Sequence, residues 1–271
     1  MKQKEIFSRA QTWFEMLVGR RPPTADAGSV WVADKTLGKD LARFISVIPD
    51  SNNRFPRARG GELGLEEAWH IARRVYEVIA VDGDSYRRPI IAIVDIPGQA
   101  YGLHEEALGI HLACASATNA YATARIKGHP VISLVVGCAL SGAFLAHGYQ
   151  ANRILAIDSP DIMVHAMGKS AAARITRSSV AELDKLADEV IPMSYDLHRY
   201  AELGMLYRLI KLLNADIPSP DDVDTVRREL VDAIEDTRSG PRDLSTRLTS
   251  VGALKNRTAS IQVRRLLADQ W

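Results

Sequence analysis

Two short stretches of this chain carry residue types spaced for chemistry: "VDIPGQAYG", Val94 to Gly102, and "GCALSGAF", Gly137 to Phe144. In each, a run of buried-type apolar residues ends in small ones just where a helical pattern begins. The first N–H groups of a helix have no partner inside it. A backbone left bare by Gly, Ser and Ala lets an anion come close to them. Two such N–H groups aimed into one cleft would form an oxyanion hole. The alternative is that both are tight corners where glycine only eases packing, and the pattern by itself does not separate the two.

Other chemistries find less support. The chain has no G-x-x-x-x-G-K-[ST] loop, no G-x-G-x-x-G after a strand and no G-x-S-x-G elbow. Ser141 would be a nucleophile only with His147 or His165 as base, and nothing in the sequence ties either to it. His104, in "YGLHEEALG", is the candidate proton donor by its position beside the first turn. Glu105 and Glu106 suit the first turn of a helix. Arg54, Arg57 and Arg59 are either a grip for a carboxylate or phosphate, or a solvated basic loop. Cys114 and Cys138 read as buried free thiols, without disulfide or zinc spacing.

The elements that must hold these turns follow from periodicity. The first twenty residues repeat Ile6, Phe7, Trp13, Phe14, Leu17 and Val18 at helical spacing, and "GRRPPTADAGS" breaks the pattern. "SVWVADKTL" and "RFISVIPD" suit strands, and "LEEAWHIARRVYEVIAVDGD" is an amphipathic helix. "RRPIIAIVDI" and "PVISLVVGCAL" are unbroken apolar runs, as in strands covered on both faces. Between them "LHEEALGIHLACASATNAYATARIKGH" reads as one long helix capped by Gly128. "SGAFLAHGYQA" is a helix, and "NRILAIDSPDIMVHAMG" holds two more strands. "KSAAARITRSS", "VAELDKLADEVI" and "DLHRYAELGMLYRLIKLLN" are helical in period, "ADIPSPDDVD" is a linker, and two charged helices finish the chain.

Strands alternating with helices indicate an α/β fold. The reading is one domain over residues 1–271, with a core over about 30–213 and a helical extension over about 214–271. A formal net charge of +1 implies no pull toward nucleic acid or a membrane surface. With no secretory pattern and no apolar run long enough to span a bilayer, the expected location is cytoplasmic.

At the two turns the chain resembles the crotonase-like carboxyltransferase superfamily, and within it the gamma subunits of biotin-independent malonate decarboxylases. The residues that carry the resemblance are Asp95, Pro97, Gly98, Gly102, Glu106, Gly109 and Ile110, then Gly142 and Ala143, then Met167 and Gly168. "SNNRFPRARGGELGLEEAWH" favours the decarboxylase subunits over biotin-dependent relatives. The resemblance implies a crotonase-like fold of repeated ββα units in two roughly perpendicular sheets. It implies a homologous beta subunit with the active site between the two chains, an acyl carrier protein subunit and an acyl-carrier transferase subunit. The implied reaction converts malonyl-S-acyl-carrier protein to acetyl-S-acyl-carrier protein and CO2. The substrate rides on the phosphopantetheine-type prosthetic group of the carrier, and this chain binds no cofactor or metal of its own. Backbone donors are expected from Gly98, Gln99 and Ala100 at one turn, and from Ser141 and Gly142 at the other. Ser141-Gly142-Ala143 stands where carboxyltransferases have Gly-Gly-Ala, and Gln99-Ala100-Tyr101 replaces their Phe and second Pro. Those departures argue against biotin as the acceptor. Two alternatives remain: the C-terminal half of a biotin-dependent acyl-CoA carboxyltransferase, and a non-catalytic scaffold completing a partner's site.

Overall fold

The computed structural model describes residues 7–19, 28–84 and 86–271. Ile6 of the expected first helix and most of the loop after it lie outside them. The described part of that helix is α1 (Arg9–Val18), which ends on Gly19 at φ 85°. A hairpin follows, β1 (Val30–Leu37) and β2 (Asp40–Val47), joined by a two-residue turn whose first residue, Gly38, has φ 59°. A positive φ at that position suits the twist of the paired strands. Next come α2 (Leu65–Asp82), β3 (Ile90–Ile96), α3 (Leu103–Ala107), α4 (Ile110–Ile126), β4 (Val131–Leu140) and α5 (Ser141–Ala146). The rest is β5 (Arg153–Ile157), β6 (Val164–His165), α6 (Lys169–Thr176), α7 (Val180–Glu189), α8 (Leu197–Glu202), β7 (Arg208–Ile210), α9 (Pro220–Ser239), α10 (Thr246–Thr249), α11 (Val251–Asn256) and α12 (Thr258–Gln270).

The mixed α/β class read from the sequence is the class observed. The described strands form one seven-stranded sheet in the order β1-β2-β3-β4-β5-β7, with β6 paired to the far end of β4. Only the β1–β2 pair is antiparallel. The implied pair of perpendicular sheets is therefore not found as two separate sheets among the described residues. The last part of β4 stays in this sheet but changes register: its pairing with β3 jumps from Val94↔Val135 to Ile96↔Ala139, and Ala139 and Leu140 pair with β6. The apolar runs of β3 and β4 are buried along almost their whole length because both faces are covered. Helices α1 and α9 pack on each other and on the central strands, while α2, α4 and α5 form another packed group. Val226, Leu230 and Ile234 of α9 join the same buried cluster as Trp13, Ile93 and Leu134.

Three local expectations are corrected. The long helix after the first turn is two helices: Gly109 sits at φ 81° between α3 and α4, a left-handed residue that helical propagation does not tolerate. "YAELGMLYRLIKLL" is helical only to Glu202. Gly204 at φ 75° ends α8, and Arg208–Ile210 join β5 as a parallel edge strand. Periodicity missed this because a three-residue strand is too short to show alternation. The Ser-Pro-Asp-Asp of the expected linker is the start of α9, with Pro220 in its first turn and a reciprocal Ser219–Asp222 capping box. The chain then finishes with four helices rather than two.

Candidate active site

The first turn leaves β3 at Ile96 and runs Pro97-Gly98-Gln99-Ala100 into α3. It is backed by the loop before α2. The Leu63 N–H donates to the Gly98 carbonyl at 3.0 Å, and the Ala100 N–H donates to the Leu63 carbonyl at 2.8 Å. Arg57 pairs with Glu62, and its guanidinium lies 4.2 Å from the Tyr101 ring centroid. The Arg59 Nε donates to the Asn53 carbonyl at 2.7 Å, and Arg54 pairs with Glu66 at 2.8 Å. The three arginines thus brace the loop that supports the turn, and the reading of them as a grip for a bound anion is not supported.

This bracing also corrects one expected donor. Ala100 is fully buried and its N–H is already spent on Leu63. The N–H groups of Gly98 and Gln99 carry no partner among the described residues. The Gln99 carbonyl accepts from the Tyr101 N–H at 2.8 Å, which tightens the turn.

The second turn leaves β4 at Leu140 and enters α5. Ser141 has φ 61°, one of two non-glycine residues in the left-handed region among those described. For a residue other than Gly, such a conformation costs of order 1–3 kcal/mol and points to a local constraint. The Gly142 N–H has no partner among the described residues, as expected for the second residue of a helix. A Cβ placed on Gly142 would lie 2.7 Å from the Oε1 of Gln99. The two turns, 42 residues apart between Gln99 and Ser141 in sequence, are therefore neighbours, and the structure brings Gly98, Gln99, Ser141 and Gly142 together. Gly137, singled out with them, makes room for a side chain instead, since a Cβ there would fall 2.0 Å from Asp95 Oδ1.

The histidines separate. His147 is fully buried, its Nδ1 2.9 Å from the Tyr121 hydroxyl and its Nε2 3.2 Å from the Ile93 carbonyl. Both nitrogens are engaged, so it is not a base for Ser141. Burial drives its pKa down to about 4, and the ring is neutral at pH 7. His165 is half-buried, stacked 4.0 Å from Tyr195, with Nδ1 bonded to the Met167 backbone; burial lowers its pKa. It shares with Ser141, Phe144, Tyr200 and Arg257 the wall of a cavity of about 520 Å³ behind the second turn. His104 is exposed on α3, and its ring has no hydrogen bond among the described residues. Burial pushes both thiols, Cys114 and Cys138, up to about 11, which leaves them protonated and poor nucleophiles. Among the described residues no group of three His, Cys, Asp or Glu side chains is placed to hold a metal ion.

His147 yields a stability prediction. It is neutral in the fold but titrates near 6.5 when unfolded, so the unfolded chain binds the extra proton. The associated stability is complete above pH 6.5 and is lost as pH falls toward 4, by about 3 kcal/mol in total. Melting temperature measured from pH 7 to 4 should fall with this slope, and His147→Gln should start lower and fall less steeply. An identical acid slope in the variant would refute the assignment.

A profile of the malonate decarboxylase gamma subunit family matches residues 58–271. The chain belongs to the malonate decarboxylase gamma subunit family. It is 52% identical to a chain of a Pseudomonas malonate decarboxylase hetero-tetramer solved with coenzyme A, covering 97% of this chain and 100% of that one with a TM-score of 0.93. It is 49% identical to a chain of the Pseudomonas MdcD-MdcE hetero-dimer, covering 97% and 99% with a TM-score of 0.89. A Malonomonas rubra malonyl-S-ACP:biotin-protein carboxyltransferase is 32% identical over 81% of this chain and 75% of its own length. The transcarboxylase 12S core, 20% identical with a TM-score of 0.64 over 88% of this chain and 42% of that one, shares the fold. The resemblance read from the two turns, the crotonase-like fold and the decarboxylase-subunit function are borne out. No helix among the described residues of this gamma subunit is long and apolar enough to cross a membrane.

Proposed function

We propose that this gamma subunit supplies one wall of the site in which malonyl-S-acyl-carrier protein loses CO2, the other wall coming from a homologous beta subunit. The observation that carries the reading is the convergence of the two turns, with N–H groups at Gly98, Gln99 and Gly142 that have no partner among the described residues and the Gln99 side chain reaching Gly142. When the C–C bond to the carboxylate breaks, its electron pair passes into the thioester enolate and the charge gathers on the thioester oxygen. Backbone donors fixed near that charge lower the barrier, typically by about 3–4 kcal/mol for each donor. By analogy with carboxyltransferases, the beta subunit holds the thioester oxygen. The turns of this chain then face the carboxylate and hold it out of the thioester plane, so that the breaking bond overlaps the carbonyl. His104, exposed beside the first turn, delivers the proton that turns the enolate carbon into the acetyl methyl.

The Pseudomonas hetero-dimer and hetero-tetramer support the pairing, and the coenzyme A complex supports a pantetheine thioester as the carried group. The acyl carrier and acyl-carrier transferase subunits complete the proposed assembly, which we place in the cytoplasm. Within it this chain acts as one domain. The Malonomonas relative motivates a second reading, transfer of the carboxyl to a biotin protein.

One assay separates the two. The co-purified complex, given malonyl-S-carrier and no biotin protein, should release CO2 and form acetyl-S-carrier one for one. His104→Ala should slow release and change its pH profile. CO2 release that requires a biotin protein would establish the second reading instead, and an unchanged profile would remove His104 as donor.

A further inference from the structure

Asp95 lies one residue before the end of β3, and nothing in the reading above uses its carboxylate. It touches neither turn's donors. It does touch the structures that aim them. Oδ1 accepts from the Cys138 N–H at 3.0 Å, and Oδ2 accepts from the Arg9 N–H at 3.1 Å.

The register shows what the first contact does. Between the pairs Val94↔Val135 and Ile96↔Ala139, β3 advances two residues while β4 advances four. The extra residues arch out as a bulge, which re-aims the strand beyond it. The Asp95 carboxylate occupies that arch: a Cβ on Gly137 would fall 2.0 Å from Oδ1 and 2.4 Å from Cγ. Only two residues lie between the bonded Cys138 and Ser141, and only two between Asp95 and Gly98. One side chain therefore holds the exit of β4 from the strand that carries the first turn.

The second contact anchors the carboxylate. Arg9 opens α1, so its N–H is an orphan donor at the positive end of a helix dipole, a favourable partner for a carboxylate. The Arg9 guanidinium in turn bonds Asp216 at 2.5 Å and Asp161 at 3.3 Å, which ties α1 to the segment before α9 and to the segment after β5. Asp95 is thus fixed from the side of the sheet that faces α1.

We infer that Asp95 is a positioning residue for decarboxylation: by filling the β4 bulge it sets the spacing between the Gly98–Gln99 and Ser141–Gly142 turns, and hence the aim of their N–H groups. The inference rests on those turns being the reacting wall. A displacement of about 1 Å in a catalytic group costs on the order of 100-fold in rate, so loss of the tether acts on turnover rather than on substrate affinity.

The test uses the co-purified complex and two readouts. In Asp95→Ala, kcat for CO2 release should fall by about 30-fold or more while KM for malonyl-S-carrier stays within about threefold, on the scale of such misplacements. Asp95→Asn retains an acceptor for one of the two N–H groups and should recover part of the loss. Gly137→Ala, which pushes the carboxylate out of the arch, should reproduce the kcat loss. Amide exchange across residues 138–142 should speed up in Asp95→Ala and Gly137→Ala. Arg9→Ala keeps the backbone N–H that Asp95 accepts from and removes the ion pairs that hold α1, so it should lower the melting temperature and cost much less kcat than Asp95→Ala. Unaltered exchange at 138–142 in a folded Asp95→Ala complex would overturn the positioning role whatever the activity. So would a lowered melting temperature with wild-type kcat in that variant. Faster exchange in a complex whose wild type releases no CO2 would leave the tether standing and refute the proposed reaction instead.

Discussion

Gly142→Val is expected to leave the chain folded and paired with its partner while lowering turnover by about two orders of magnitude, because the carboxylate is no longer held out of the thioester plane and a displacement of about 1 Å costs on the order of 100-fold. Gly142 is the second residue of α5, and its φ is outside the left-handed range that only glycine accepts freely, so a β-branched residue meets no backbone penalty there. The penalty is steric and local. Even a Cβ would approach Gln99 Oε1 to 2.7 Å, and the two Val methyls reach further into the gap between the turns. Gln99 can swing its amide away, which protects folding but disturbs the first turn as well. The added methyls also keep a carboxylate from reaching the Gly142 N–H. Ser141→Ala should change little by comparison, since the Ser141 Oγ makes only a 3.5 Å contact with the Ala143 N–H. Steady-state CO2 release by both variants, with assembly checked by gel filtration, decides the matter. A dead Ser141→Ala complex of normal size would argue for a nucleophilic serine. Wild-type turnover in Gly142→Val would remove the second turn from the chemistry.

The parts of this site legible in the sequence were those set by residue size and chain direction. Small residues after a fully apolar run mark a strand-to-helix turn, and both turns stand where the spacing of Pro97-Gly98 and Ser141-Gly142 put them. Which N–H groups stay open was not legible, because it depends on a contact from elsewhere: Leu63 takes the Ala100 N–H, and no local pattern around Ala100 announces it. The same holds for Gly137. It opens the "GCALSGAF" stretch whose small residues suit close approach of an anion, whereas its bare Cα makes room for Asp95 on the neighbouring strand. The missed strand β7 and the break at Gly109 have a related cause. Composition there fits a helix, and a single left-handed residue or one edge pairing overrides it. The left-handed Ser141 has no signal in its own residue type at all.

The largest effect is expected for the simplest experiment: the chain purified alone should release no CO2 from malonyl-S-carrier. One wall cannot enclose a malonyl group, and water left in the site weakens every electrostatic contact on which the two turns depend. The surface beside the first turn also asks for cover. Leu103, Leu108 and Leu112 are 85%, 65% and 60% exposed along α3 and the start of α4, next to the half-exposed Tyr101. Exposed leucines gathered on neighbouring helices suit an interaction surface, and permanent pairs bury more than about 2,000 Å². The sequence pattern points to the apolar helices after Ala171, including "YAELGMLYRLIKLL", as a partner surface; Met205 and Ile210 of that stretch are buried, while Leu213 in it and Ile175 before it are exposed. Exposed Leu266 and Leu267 on α12 are a second apolar surface, farther along the chain. Alone, the subunit should self-associate or aggregate at concentrations where the co-expressed pair elutes as one stable species. Leu103→Glu with Leu108→Glu should keep the chain soluble and weaken the pair, as read by co-elution. CO2 release by the isolated chain at a rate like that of the complex would rule out a site divided between two subunits, because a single wall would then have done all of the enclosing.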